Sequence, residues 1–190
     1  MVALPAVARQ ALEEAVGGPA SRADVEQPPS PGPEADRPGA AFVTLRKAGA
    51  LRGCIGSITA YRPLLADVRG NAVAAGLSDP RFPPVTSDEL ASLTIEVSVL
   101  SPPRPREASS YEDVLRLMRP GTDGLVVESG PHRAVMLPSV WEELPDVRQY
   151  VAAVWRKAGL APGSWPTGTS VSTFVAHSVP ETGTGGDAEA

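Results

Sequence analysis

The chain has 190 residues, enough for one ordinary domain or for a core of about 140 residues with ragged ends. With 42% hydrophobic and 21% charged residues it has a globular composition, apart from coiled coils and membrane spans. A net charge of -5 supplies no chain-wide positive field for nucleic acid or anionic lipid, and one cysteine with two histidines supports neither a disulfide framework nor a Cys/His zinc site.

In chain order, Leu4, Val7, Ala8, Ala11, Leu12 and Ala15 recur at helical spacing before Gly17-Gly18. This predicts an amphipathic helix over residues 4–16 that docks on the core, so that 1–17 form an N-terminal element. The same residues lack a basic leading segment and include Arg9, Glu13 and Glu14, unlike a secretory signal. Residues 18–38 are rich in proline and polar residues and read as an extended linker.

The core is expected over 39–177. Residues 41–46 and 51–58 are β-leaning runs around Lys47-Ala48-Gly49-Ala50, the pattern of a hairpin. Pro63 can open a helix to about residue 75, with Leu64, Leu65, Val68, Ala72 and Ala75 on one face. A proline-braced loop follows, Asp79-Pro80-Arg81-Phe82-Pro83-Pro84, and then Thr86 and Glu89 in capping-box spacing. Residues 93–100 alternate as a half-buried strand, and a Pro-rich turn spans 102–105. Ser110 caps a helix carrying Tyr111, Val114, Leu115 and Met118.

Residues 124–129 and 133–137 pattern as a second hairpin around Gly130-Pro131. Asp146 caps a helix through Lys157, stopped by Gly159, and a last strand covers 170–177. Residues 178–190 read as a disordered tail. The run without charged residues, 158–180, is too dense in Gly, Pro, Ser and Thr to span a membrane, and the expected location is cytoplasmic, with a reduced thiol. Hairpins with interspersed helices predict an α+β fold with a largely antiparallel sheet.

The chemistry concentrates in Leu51-Arg52-Gly53-Cys54-Ile55-Gly56-Ser57, where the only thiol stands between two glycines and beside an arginine. Glycines allow close approach and leave backbone N–H groups open to a developing oxyanion, and a guanidinium favours the thiolate. The plainer reading makes Cys54 a small buried hydrophobe and Gly53 and Gly56 packing devices.

Leu51-Arg52-Gly53-Cys54-Ile55-Gly56, Asp79-Pro80-Arg81-Phe82, Ile95-Glu96-Val97-Ser98-Val99-Leu100, Gly121-Thr122-Asp123-Gly124-Leu125, Leu137-Pro138, Trp141-Glu142 and Lys157-Ala158-Gly159-Leu160 together resemble, in order and spacing, the AMMECR domain family. That family is named for a human Alport syndrome chromosomal region, and its prokaryotic members are called AmmeMemoRadiSam system protein A. The resemblance runs from about Gly39 to His177, and it departs at Ser57-Ile58, where the family more often has Thr-Phe. It implies an α+β fold of a larger and a smaller subdomain, with the cysteine motif beside a cleft. As partners it implies a Memo-like protein and a radical S-adenosylmethionine enzyme. It implies no settled reaction.

Within that frame Cys54 is the candidate nucleophile, and Arg52, two residues away, is expected on the same strand face. An ordinary surface ion pair accounts for Arg52 equally well. Glu96 is a candidate general base or a partner for Arg52 or Arg81, against a solvated strand face as the plain alternative. Asp79 and Arg81 sit in a loop suited to presenting side chains, although Asp79 can equally cap a turn before Pro80. His132 and His177 have no motif around them, and the three tryptophans read as packing.

The expected function is therefore a reactive cysteine in a cleft. Cys54 and Glu96 would be catalytic, while Arg52, Gly53, Gly56, Asp79 and Arg81 would bind a small anionic ligand, with no metal or cofactor required. The alternative is a non-catalytic partner or scaffold for the Memo-like and radical enzymes, in which the cysteine motif serves packing.

Overall fold

The computed structural model describes residues 4–17 and 37–181, which fold as two compact units, one of residues 4–17, 37–99 and 178–181 and the other of residues 100–177. The predicted linker up to residue 36 and the tail beyond Glu181 lie outside the described residues.

In the first unit, α1 (Leu4–Gly17) buries Val7, Ala8, Ala11 and Leu12, the predicted apolar stripe. β1 (Pro38–Lys47) and β2 (Ala50–Gly56) form the predicted hairpin, turned by Ala48 and Gly49 at φ 49 and 81°. A bulge interrupts their register between Leu45 and Arg46. A two-residue strand, β3 (Arg62–Pro63), pairs with the start of β1 and leads into α2 (Leu64–Leu77).

The capping box forms as predicted: Thr86 and Glu89 bracket a 3-10 helix over Ser87–Ser92. β4 (Leu93–Leu100) occupies the predicted bounds and buries Leu93, Ile95 and Val97. The sheet order is β2-β1-β4-β9, with β3 beside β1 and β9 spanning Ala176–Pro180. α1 and α2 pack their apolar faces with Ala41, Val43 and Leu45 of β1 and Ile95 and Val97 of β4 into one core.

In the second unit the sheet order is β5-β8-β6-β7, antiparallel at every pairing. Its strands are β5 (Arg104–Arg106), β6 (Gly124–Ser129), β7 (His132–Met136) and β8 (Thr169–Phe174). Two helices cover it, α3 (Tyr111–Leu117) and α4 (Val147–Lys157), and their predicted caps Ser110 and Asp146 accept hydrogen bonds from Asp113 N and Gln149 N. The core holds Trp155, Tyr150 and Trp141, with the Tyr150 ring stacked on Trp141 at 3.9 Å between centroids. Trp141 Nε1 donates to Asp123 O at 2.8 Å, while the buried Asp123 carboxylate closes a turn on Arg119 N and its guanidinium.

Three expectations are corrected. The single last strand over 170–177 is two strands, β8 and β9, which break at Val175 and belong to different sheets. Residues 178–181 are part of the ordered fold rather than of a tail: β9 reaches Pro180, and Glu181 pairs with Arg9 while its Oε2 accepts from Ile95 N at 3.2 Å. The second half of the proline turn at 102–105 belongs to β5 (Arg104–Arg106), whose Pro105 is tolerated because β5 is an edge strand. No helix among the described residues is long and apolar enough to cross a membrane.

Candidate functional site

Every candidate residue lies in the first unit, and β2 organises the arrangement. β1 alternates between core and opposite face: Ala41, Val43 and Leu45 are buried, and Phe42 and Thr44 lie between them. Residues directly opposed in an antiparallel pair share a face. Gly53, opposite Leu45, therefore faces the core, and Cys54, opposite Thr44, faces away from it. The Thr44 hydroxyl donates to Cys54 Sγ at 3.4 Å, and the thiol is free and half-buried.

Close packing accounts for both glycines, Gly53 on the core face of β2 and Gly56 on the opposite face. A Cβ on Gly53 would lie 2.1 Å from the backbone oxygen of Ala75, so the C-terminal half of α2 rests directly on β2. A Cβ on Gly56 would meet the Phe42 ring at 2.2 Å. Neither glycine has a positive φ, so close approach rather than backbone conformation is what requires them.

β2 ends the sheet order, so its outer edge carries backbone groups with no neighbouring strand. At Cys54 those groups meet side chains. The buried Asp79 carboxylate accepts from Cys54 N at 2.9 Å, and Arg81 Nη2 donates to Cys54 O at 3.3 Å. Asp79 also accepts from Arg81 N, Nε and Nη2 at 3.1, 2.9 and 2.7 Å. An acceptor and a donor locked to each other thus stand where the next strand would be. The Arg81 hydrogen bonds hold the Asp79 carboxyl well below the usual carboxylate range, with the Cys54 N–H acting in the same direction against burial. Arg81 is raised reciprocally, chiefly by Asp79. The Arg81 side chain remains 51% exposed, and its Nη1 makes no hydrogen bond among the described residues.

Arg52 does not reach the thiol. Its guanidinium donates to Glu89 Oε2 at 2.9 Å and Pro83 O at 2.9 Å, fastening the proline loop to the 3-10 helix. Lys47 also donates to Glu89, at 2.9 Å. Arg52 first and Lys47 second hold the Glu89 carboxyl down at about 2. The surface-pair alternative for Arg52 is thus the one observed, with Glu89 as a partner that sequence reasoning placed only in a cap.

Glu96 lies on the face of β4 away from the core, and β1 stands between β4 and β2. Two strand spacings separate the backbones of Glu96 and Cys54 by about 9.6 Å, and no hydrogen bond joins their side chains among the described residues. No ion pair or hydrogen bond of its carboxylate is found among the described residues, and both arginines suggested as its partners are held by other carboxylates. His132 Nδ1 lies 2.9 Å from Ala158 O at the end of α4, a structural position.

Sequence reading missed a second polar centre beside β2. Asp67 is fully buried in α2, where Oδ1 accepts from Ser57 Oγ at 2.7 Å and Arg62 Nε at 2.8 Å, and Oδ2 accepts from Ala41 N and Asn71 Nδ2, each at 2.9 Å. The signal was available: Asp67 and Asn71, four apart, interrupt the apolar stripe of Leu64, Val68, Ala72 and Ala75. A groove of about 420 Å³ lies in the second unit along α4, and none of the candidate residues lines it. Among the described residues no group of three or more His, Cys, Asp or Glu is arranged to hold a metal ion.

These carboxylates imply an acid limit to stability. Asp79 and Glu89 are both depressed, so the unfolded chain binds protons at a higher pH than the folded one. Their contribution is complete above the unfolded carboxylate range of about 4 and is lost as pH falls from there towards about 2. The urea midpoint is expected to fall steadily between about pH 4.5 and 2.5, and a midpoint constant to pH 3 would contradict this assignment.

Comparison with known proteins places residues 5–179 in the sequence profile of AMMECR1. A protein of Thermococcus gammatolerans is 38% identical over 182 residues, covering 90% of this chain and 85% of its own. A protein of Methanothermobacter thermautotrophicus is 46% identical over 122 residues, 64% of each chain, and one of Methanococcus aeolicus is 42% identical over 116, 60% of this chain and 58% of its own. The match thus spans less than two thirds of the length of these last two relatives. The crystal structure of an uncharacterized protein from Pyrococcus horikoshii superposes with a TM-score of 0.78 at 37% identity, over 94% of this chain and 89% of that one.

Proposed function

Taking as premise that this chain belongs to the AMMECR1 family, we propose that Cys54 is the reactive group of a cytoplasmic enzyme acting on a small anionic molecule. One observation carries the reading: a half-buried thiol faces away from the core on a strand pinned at that residue by Asp79 and Arg81. Such pinning is the preorganisation a nucleophile needs. The Thr44 hydroxyl donates to the sulfur, and the open Nη1 of Arg81 offers a donor to a carboxylate or phosphate nearby. Asp79 and Arg52 act as positioning residues, Gly53 and Gly56 as packing residues, and the chain's own groups call for no cofactor.

The second reading, a non-catalytic partner of a Memo-like protein and a radical S-adenosylmethionine enzyme, is favoured by a specific observation as well. The charges of Arg52 and Asp79 are committed to contacts within the fold, and the glycines of the motif are explained by packing.

Iodoacetamide separates the two. The enzyme reading expects Cys54 in the folded protein to be alkylated at neutral pH at least as fast as in the unfolded chain, with Cys54→Ser abolishing labelling. Labelling only on unfolding would establish a packing role and make the partner reading the leading one.

A further inference from the structure

The second unit carries a surface feature unrelated to the thiol. Along α4, Arg148, Ala152 and Arg156 succeed one another at four-residue spacing, with Gln149 and Ala153 in the adjoining row. These residues and Leu144 line the groove of about 420 Å³. Alanine leaves the helix backbone accessible, so the groove is a notch with an arginine at either end. Arg148 and Arg156 are eight residues apart, about 12 Å along the axis, and an α-helix with its side chains is about 10–12 Å across. The notch is one helix wide.

Its charge is largely uncommitted. Arg156 makes no ion pair among the described residues, and Arg148 meets only the exposed Glu112 of α3, at 3.6 Å. Such an exposed pair is readily exchanged for another. Tyr111, buried beside them, makes no side-chain hydrogen bond among the described residues; burial pushes its phenol up, while Arg156 and Arg148 pull it the other way. A positive rim around a small apolar floor is complementary to one kind of occupant.

We propose that this notch docks an acidic helix of a partner protein, which crosses α4 over Ala152 and Ala153 and places carboxylates against Arg148 and Arg156. Small residues at the crossing permit the close interaxial approach, and the two arginines fix its register and exclude basic helices.

The test uses the full chain and two labelled synthetic helical peptides, each with an alanine stripe, one flanked by Glu and the other by Lys. Fluorescence anisotropy should show the Glu peptide binding at least about tenfold more tightly than the Lys peptide, with a preference that weakens in salt. Arg148→Glu with Arg156→Glu should reverse the preference. Ala153→Leu, a helix-compatible change that fills the notch, should weaken the Glu peptide several-fold with the circular dichroism unchanged.

Equal affinity for the two peptides, no binding of the Glu peptide, or indifference to Ala153→Leu would overturn the proposal. So would self-association abolished by the arginine reversals, which would make a second copy of the chain the occupant. Cys54→Ser should leave peptide binding intact, so the failure of the cysteine reading and the failure of this one are separate results.

Discussion

Replacing Asp67 by alanine is expected to cost about 3–5 kcal/mol of stability, the range for removing one partner of a buried ionic contact. Four donors converge on this fully buried carboxylate: the Ala41 N–H, the Ser57 hydroxyl, the Arg62 guanidinium and the Asn71 amide. Truncation leaves the donors without their acceptor and Arg62 without its counter-charge, and each loss is more expensive than the hydrogen bond was worth. Asp67→Asn should recover little of it, because an amide presents N–H where two of those donors need an acceptor. Total stability of a domain is about 5–15 kcal/mol, so the alanine variant should be partly unfolded at physiological temperature. Urea denaturation followed by circular dichroism measures the effect, and a loss under about 1 kcal/mol would show that the carboxylate is not the centre of this network.

Gly53→Ala is expected to destabilise by about 3 kcal/mol, the upper end of the range for overpacking. The added methyl would lie 2.1 Å from the Ala75 oxygen and 3.0 Å from its carbonyl carbon. A flexible side chain could turn away from such a clash; here the obstacle is helix backbone, so α2 must retreat from β2 as a unit. Glycine-to-alanine changes otherwise stabilise by about 0.4–1 kcal/mol through the unfolded chain, so a strongly negative result isolates the steric contact. Thermal denaturation of the two proteins side by side decides it, and an unchanged transition would mean that α2 and β2 do not touch at this point. The variant also bears on the site: Asp79 follows α2 in the chain, so its hold on the Cys54 N–H loosens as α2 retreats, and accelerated alkylation of Cys54 should accompany the lost stability.

How much of this was legible in the sequence depended on the range of the interaction. β4 was readable because the alternation from Leu93 to Leu100 is itself the burial pattern, and Ser110, Asp146 and the Thr86/Glu89 box were readable because a cap and its recipient lie within a few residues. The division between β8 and β9 was not, since Val171, Thr173 and His177 belong to one unbroken β-leaning run, and nothing local says which sheet each half joins. At the site, the positions of Cys54 and Asp79 were anticipated, but their relation was not. That the Asp79 carboxylate receives the Cys54 N–H, that Arg52 is drawn to Glu89, and that Thr44 stands against the sulfur all follow from register and helix placement set far away in the chain. Glu96 shows the converse: a strand face was read correctly, and its separation from Cys54 by β1 could be seen only once the sheet order was known.

The chain leaves the first unit after residue 99 and returns to it only at residue 178. During synthesis, the second unit is therefore complete in sequence before the first has its edge strand β9 or Glu181, the residue that ties Arg9 and Ile95 together. The open side of β4 must wait, unpaired, for the whole of residues 100–177 to be made. A ribosome stalled within that stretch would hold a nascent chain whose N-terminal half has its hairpin and both helices but an exposed strand, and quality control would meet it in that state.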